Sequence, residues 1–230
     1  MDAIKNFKKN YILEDYDGES DYGLDSQITY DMLLRSIPST GKILEIGCGM
    51  GHFSNYCHNS KRSVVSVDIG KSKMKMKNRY PFLSFVQADA EELPLKNNSF
   101  DVVLSIDLIE HLFDQNSHFK EVNRILKDGG LYIIKTPNKI YDLLVNIPYF
   151  MIVGKVEYSK LTETHPSTRT LFGPKKLLGK YNLHVDFYSF GRLSQIQRAK
   201  LGKIYKCVEK LVFNYFPLWL QPSFLCIAKK

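Results

Sequence analysis

Short apolar runs alternate with mixed, helix-like stretches through the first 140 or so residues. Runs at 42–46, 63–68 ("SVVSVD"), 83–88 ("LSFVQA"), 100–106 ("FDVVLSI") and 130–136 ("GLYIIKT") are rich in β-branched and aromatic residues and read as strands. Residues 23–37 carry Leu24, Ile28, Met32 and Leu33 near helical spacing and stop at Pro38. Residues 119–127, "FKEVNRILK", have the pattern of an amphipathic helix, with "DGG" as its predicted stop. Such alternation predicts right-handed βαβ units and a parallel sheet.

The last third is patterned differently. "YDLLVNIPYFMIV", 141–153, is apolar and aromatic but interrupted by Pro148. "LHVDFYSF" at 183–190 and "SFLCIA" at 223–228 predict two more strands. Between them, 192–215 reads as a helix with Leu193, Ile196, Ile204, Val208, Leu211 and Tyr215 on one side and Lys203, Lys206 and Lys210 on another. There is no internal repeat and no low-complexity linker. The 230 residues therefore read as one domain: an N-terminal arm and helix (1–40), a core (41–137), a cover (138–182) and a C-terminal part with strands and a basic helix (183–230).

Composition changes this picture little, and charge changes it at one end. The opening "MDAIKNFKKN" has no apolar signal region, and no run of about 18 apolar residues occurs. Cys48, Cys57, Cys207 and Cys226 show neither metal-ligand spacing nor a CxxC pair, so reduced thiols in a cytoplasmic protein are expected. The net charge is +8, and residues 191–230 hold eight Lys or Arg against Glu209 alone, which is +7. The remainder is near neutral, so the chain is no general polyanion binder and nucleic acid is an improbable partner.

Candidate chemistry begins at "ILEIGCGMGHFSN", 43–55. Gly47, Gly49 and Gly51 follow a buried strand and precede a helix, where glycine lets backbone approach a ligand and free N–H groups favour polar or anionic groups. A dinucleotide fingerprint would need its third glycine at position 52, where this chain has His52. Glu45 sits in the strand two residues before Gly47. Asp68 ends the second strand, where a carboxylate either accepts ribose hydroxyls or caps the next helix. Asp89, in "QADAEELPL", follows the third strand, where it either meets a ligand or caps a turn near Glu91 and Glu92.

These ordered motifs resemble class I S-adenosylmethionine-dependent methyltransferases of the small-molecule branch, strongly over 40–137 and weakly at "HPSTRTLFGPKKLL", 165–178. The resemblance implies a Rossmann-like, doubly wound α/β fold, a seven-stranded sheet with its last strand antiparallel and helices on both faces. It implies S-adenosylmethionine as cofactor, held by Glu45, Gly47, Cys48, Gly49, Gly51, Asp68, Ile69, Asp89, Ala90, Ile106 and Asp107. Within that set the glycine loop would lie under the methionine moiety, Asp68 at the ribose, Asp89 at the adenine amino group, and Ile106 and Asp107 beside the methionine. Side chains of Cys48 and Met50 read as loop and packing residues rather than chemical ones.

Methyl transfer from a sulfonium asks mainly for alignment, which supplies roughly 7–11 kcal/mol of the barrier. A base is needed only for an acceptor proton of high pKa. In "DLIEHLFD" the residue placed for that role is His111, which reads alternatively as a structural or cofactor contact. The D-x-x-E-H spacing of Asp107, Glu110 and His111 also resembles ubiquinone-pathway O-methyltransferases, where such residues hold a divalent metal; no metal is expected here. The acceptor class expected is a small molecule or lipid-linked compound methylated on oxygen. RNA, a nicotinamide-dependent oxidation and a non-catalytic cofactor-binding module are the alternatives. Tyr141, Tyr149 and Phe150 suggest an apolar or aromatic wall to the pocket, or equally an ordinary helix packed on the core. The basic helix followed by "FNYFPLWL" has the composition of a peripheral membrane contact, or of a solvated helix with its apolar side on the sheet.

Overall fold

The computed structural model describes residues 30–59, 61–70, 73–141, 143–144, 172–189 and 202–230. The expected helix residues 23–29, most of the cover with Pro148, Tyr149 and Phe150, and the helix residues 192–201 lie outside the described residues.

The strands are β1 (Gly41–Ile46), β2 (Arg62–Asp68), β3 (Ser84–Gln87), β4 (Phe100–Ile106), β5 (Leu126–Pro137), β6 (His184–Ser189) and β7 (Ser223–Lys229). All seven stand within a residue or two of their apolar runs except β5, which starts four residues early. Between them run α1 (His52–Cys57), α2 (Lys73–Arg79), α3 (Gln115–Ile125), α4 (Phe172–Gly179) and α5 (Tyr205–Tyr215). The sheet order is β3-β2-β1-β4-β5-β7-β6. β1 pairs in parallel with β2 and β4, and β2 with β3. The last strand is antiparallel; at the chain's end Gly129 N–H donates to Lys230 O and Lys230 N–H to Gly130 O. This is the doubly wound, Rossmann-like order expected. The strand order reverses beside β1, between β1 and β4, and ligands of such sheets bind at the C-terminal strand ends there.

By its contacts the chain forms two compact units: Met1–Ile106 with Asp114–Ile133 and Lys229–Lys230, and Asp107–Phe113 with Ile134–Ala228. The first has its core on β1 and β4, where Ile43, Leu44, Val102, Val103 and Leu104 are fully buried. α3 closes on that core with Phe119, Val122 and Ile125, and also with His118. α3 differs from its expected span at both ends. Asp114 caps it, accepting from Asn116 and Ser117 N–H, so it opens four residues earlier through a polar first turn. It closes at Ile125, and Asp128, Gly129 and Gly130 belong to β5 rather than to a helix stop.

In the second unit Phe224, Cys226 and Ala228 of β7 and Leu178 of α4 are buried. Asn138, itself buried, donates from Nδ2 to the carbonyls of Trp219 and Gln221, each at 2.8 Å, and so holds the turn Leu218–Leu220 in front of β7.

Candidate functional site

In the first unit the chain brings the expected cofactor residues from Glu45 to Ala90 to one end of β1, β2 and β3. The glycine loop is stitched to β2: Gly47 and Cys48 N–H both donate to Val67 O, at 2.8 and 3.0 Å. Asp68 then reaches back into the loop. Its Oδ2 accepts from Gly49 N–H at 2.8 Å and its Oδ1 from Gly70 N–H at 2.8 Å. The end of β3 joins through Ala88 N–H to Asp68 O at 3.0 Å and Gln87 Nε2 to Ile69 O at 3.1 Å. Asp89 Oδ1 accepts from Glu91 N–H at 3.0 Å, which is the turn-capping geometry, and its second oxygen is not used by that bond.

The three loop glycines all have positive φ: 77° at Gly47, 49° at Gly49 and 73° at Gly51. They differ in what surrounds them. A Cβ at Gly51, the residue before α1, would stand 2.8 Å from Met76 Sδ, so a side chain there would have to displace the buried Met76 of α2. A Cβ at Gly49 would meet nothing within 4 Å. Space at Gly49, next to a carboxylate held by two backbone N–H groups, is what a ligand lying on the loop would need. The residues present thus fit a nucleoside-bearing cofactor.

Glu45 is buried under this loop. Ser54 of α1 donates to its Oε2, and Ser66 of β2 donates to Ser54 at 2.6 Å. Burial pushes the Glu45 carboxyl up to about 8, with Asp68 adding to the rise, so Glu45 is protonated at neutral pH. Its role in the geometry is to tie β1, α1 and β2 together beneath the glycines. Cys48 is buried, and burial raises its thiol well above the ordinary range, so its side chain packs and its backbone faces the loop. Ala90 is buried and its carbonyl accepts from His118 Nδ1 at 2.8 Å. His118 Nε2 contacts Tyr132 Oη at 2.9 Å and Ser105 Oγ at 3.4 Å. Since a carbonyl only accepts, His118 carries its proton on Nδ1, and burial holds its pKa down to about 4.

Ile106 ends β4, half-buried, in the first unit. Asp107, Glu110 and His111 belong to the second. Asp107 adopts φ 49°, its N–H donates to Lys135 O at 2.8 Å, and its carboxylate forms an ion pair with Lys135 Nζ. Glu110 is 1% exposed and accepts from Thr136 Oγ1 at 3.0 Å. Burial, helped by the Asp107 charge, pushes it up to about 8. His111 is half-buried in the turn Ile109–His111. Among the described residues no three His, Cys, Asp or Glu side chains are grouped to hold a metal ion. Tyr141 is buried rather than presented as an open wall.

Sequence reasoning did not find Ser54, Ser66, His118, Tyr132 or Lys135. His118 alone left a signal, standing among Phe119, Val122 and Ile125 on the apolar face of α3.

Residues 44–134 match the family described as "Methyltransferase domain". A probable S-adenosylmethionine-dependent methyltransferase of Mycobacterium tuberculosis is 34% identical over 139 residues, 60% of this chain and 50% of that protein. A ubiquinone biosynthesis O-methyltransferase of Pelagibacter ubique is 31% identical over 117 residues, 49% of this chain and 47% of that protein. The chain spans about half the length of the curated relatives it matches. The crystal structure of an S-adenosylmethionine-dependent methyltransferase from Mesorhizobium loti superposes with a TM-score of 0.62 at 20% identity, over 90% of this chain and 100% of that one, a likeness of fold.

Proposed function

We propose that the chain, through residues 44–134, is a class I S-adenosylmethionine-dependent methyltransferase and that it transfers a methyl group from S-adenosylmethionine to an oxygen of a small or lipid-linked acceptor. When bound, that cofactor supplies a methyl carbon already made electrophilic by its sulfonium. The observation that carries the reading is Asp68: a carboxylate fixed by Gly49 and Gly70 N–H, beside a glycine with open space where a side chain would point.

In this reading Asp68 accepts the ribose hydroxyls with the lone pairs left by its two backbone bonds. Ile69, Asp89 and Ala90 flank the adenine, with Ala90 kept in place by His118. Gly47, Cys48, Gly49 and Gly51 offer backbone to the methionine part, over the neutral Glu45, and Ile106 and Asp107 follow β4. Lys135 neutralises Asp107, and Glu110 stays protonated, so that turn carries little net charge towards an uncharged acceptor. His111 is the proton acceptor for the acceptor hydroxyl, a role worth about 10²–10⁴-fold in rate.

Oxygen as the methylated atom is supported by the name of the Pelagibacter relative, an O-methyltransferase of ubiquinone biosynthesis. The whole chain is read as one methyltransferase domain in the cytoplasm, with its cover at 138–182 and peripheral contact at a membrane where a lipid-linked acceptor would reside. Calorimetry with S-adenosylmethionine, its demethylated product and NADH, followed by an acceptor screen with radiolabelled methyl, tests this. Binding of the first two and methyl incorporation into an organic extract are expected. Tight NADH binding without a response to S-adenosylmethionine overturns the reading, and label in RNA alone overturns the acceptor class.

A further inference from the structure

Of the apolar stripe expected on one side of the C-terminal helix, Ile204, Leu211 and Tyr215 face outwards, Val208 is half-buried, and Leu193 and Ile196 lie outside the described residues. Ile204 is 59% exposed, Leu211 53% and Tyr215 76%. The side of α5 that packs inwards carries Val212, which is buried, with Val208 and Phe213 half-buried beside it. Just after α5, Trp219 is 44% exposed, on the turn whose carbonyls the buried Asn138 holds. Single exposed apolar residues are ordinary. Four large ones on one helix and the turns before and after it are not, because water gains nothing from them and the protein core does not use them.

Lysines accompany them. Lys203, Lys206 and Lys210 are exposed along a second stripe, roughly 120° around the helix from the apolar one at about 100° per residue. Glu209 is the only acid in residues 202–216, against those three cations. A helix with an inward side, an uncovered apolar side and an uncovered cationic side suits a surface that is itself apolar below and anionic above.

We propose that α5 and the turn Leu218–Leu220 form a docking surface for an anionic lipid bilayer, with Leu211, Tyr215 and Trp219 entering the acyl boundary and Lys203, Lys206 and Lys210 meeting the headgroups. The helix is too short and too polar to span; it lies in the interface. This gives a location to the membrane contact proposed above, and it stands whatever atom the enzyme methylates. Its consequence is that acceptor is met in two dimensions, at the bilayer, by a protein that leaves when salt or lipid charge changes.

The chain provides its own probe, since Trp219 is its only tryptophan. Full-length protein is titrated with vesicles of phosphatidylcholine alone and of phosphatidylcholine with phosphatidylserine, at low and high salt. Tryptophan emission and co-sedimentation are read together. Expected are a blue shift and sedimentation on the phosphatidylserine vesicles at low salt, both weakened at high salt. Lys203→Glu, Lys206→Glu and Lys210→Glu combined should weaken partitioning about 100-fold, each lost cation counting for roughly fivefold. Leu211→Ser with Tyr215→Ser should reduce it on the same vesicles while keeping the lysines. S-adenosylmethionine binding, measured on every variant, reports folding and is expected unchanged, so failure here is separable from failure of the proposed activity. Absence of both signals from wild-type protein on anionic vesicles at low salt overturns the proposal. So does concentration-dependent dimerisation in vesicle-free buffer that Leu211→Ser with Tyr215→Ser abolishes, since that assigns the stripe to a second copy.

Discussion

Asp68→Ala separates a scaffold from a ligand contact, because the two oxygens already have work in the ligand-free chain. Removing the carboxylate leaves Gly49 and Gly70 N–H without their 2.8 Å acceptors. An unsatisfied donor costs about 1–3 kcal/mol where water cannot reach it. Gly70 is buried and Gly49 half-buried, so most of the stability loss should come from Gly70. A ribose contact adds a separate loss. Charge-assisted hydrogen bonds to a carboxylate are worth roughly 1.5–3 kcal/mol, which is about 10- to 150-fold in cofactor affinity. Affinity alone does not distinguish a missing ribose contact from a loosened glycine loop. A second ligand does: the demethylated product and an analogue of it lacking both ribose hydroxyls, titrated into wild type and Asp68→Ala. A direct contact predicts that the mutation's penalty nearly vanishes with the analogue, as in a double-mutant cycle with one chemical arm. An equal penalty with both ligands would confine Asp68 to organising the loop, and unchanged affinity in a folded variant would remove it from the site.

The two neighbouring glycines should part company. Gly51→Ala combines φ 73° with a methyl 2.8 Å from Met76 Sδ, and urea unfolding should show a loss of about 1–2 kcal/mol or more; an unaffected midpoint would refute the packing argument. Gly49→Ala shares the left-handed backbone, at φ 49°, but has room for its methyl, so it should lose less stability than Gly51→Ala while calorimetry shows the larger change in cofactor affinity, and the reverse ranking would place the cofactor elsewhere. Glu45 is raised to about 8, so the stability it lends is complete below about pH 4.5 and lost as pH climbs to about 8, by roughly 3–5 kcal/mol. Glu45→Gln should flatten that alkaline decline in denaturation curves, and parallel pH profiles would count against a neutral Glu45. His118 works in the opposite window: held near 4, it lends full stability above about pH 6.5, lost as pH falls through 4, so His118→Gln should flatten the acid limb. His111→Ala should cut turnover by about 10²–10⁴-fold with cofactor affinity kept, and turnover within a few-fold of wild type would leave it a structural residue.

Strands were legible because buried parallel strands are rich in apolar and β-branched residues, and β1, β2 and β4 carry short apolar cores such as Ile43 and Leu44, Val64 and Val65, and Val102 to Leu104. Boundaries were not, where polar groups rather than apolar ones set them. α3 opens through Gln115, Asn116 and Ser117, a turn with no apolar stripe, on the strength of the Asp114 cap. "DGG" looked like a helix stop, but Gly129 and Gly130 are used by the antiparallel exchange with Lys230, a partner about 100 residues away in sequence. The site divides the same way. Gly47, Gly49, Gly51 and Asp68 can be read from local spacing, whereas the protonation of Glu45 follows from burial beneath elements distant in sequence, and the placement of Ala90 from His118, neither of which is local.

At Asp68 and Asp89 the capping role and the ligand role, posed as alternatives by the sequence, turn out to be compatible. Asp68 closes the turn at Gly70 and Asp89 closes the turn at Glu91, each by a single oxygen–backbone bond. A carboxylate oxygen can accept more than one hydrogen bond, so the bonds that order the loops also orient the remaining lone pairs before any ligand arrives. That lowers the entropy a ligand must surrender on binding, which is the advantage of a preorganised site. The C-terminal helix shows the converse. Its apolar period was legible, but periodicity identifies a face and not what covers it. Only the exposure of Leu211, Tyr215 and Trp219 shows that the face is left uncovered among the described residues. A polar residue that serves the fold can serve a ligand as well. An apolar stripe that does not serve the fold calls for a partner, and the adjoining lysines argue for an anionic one.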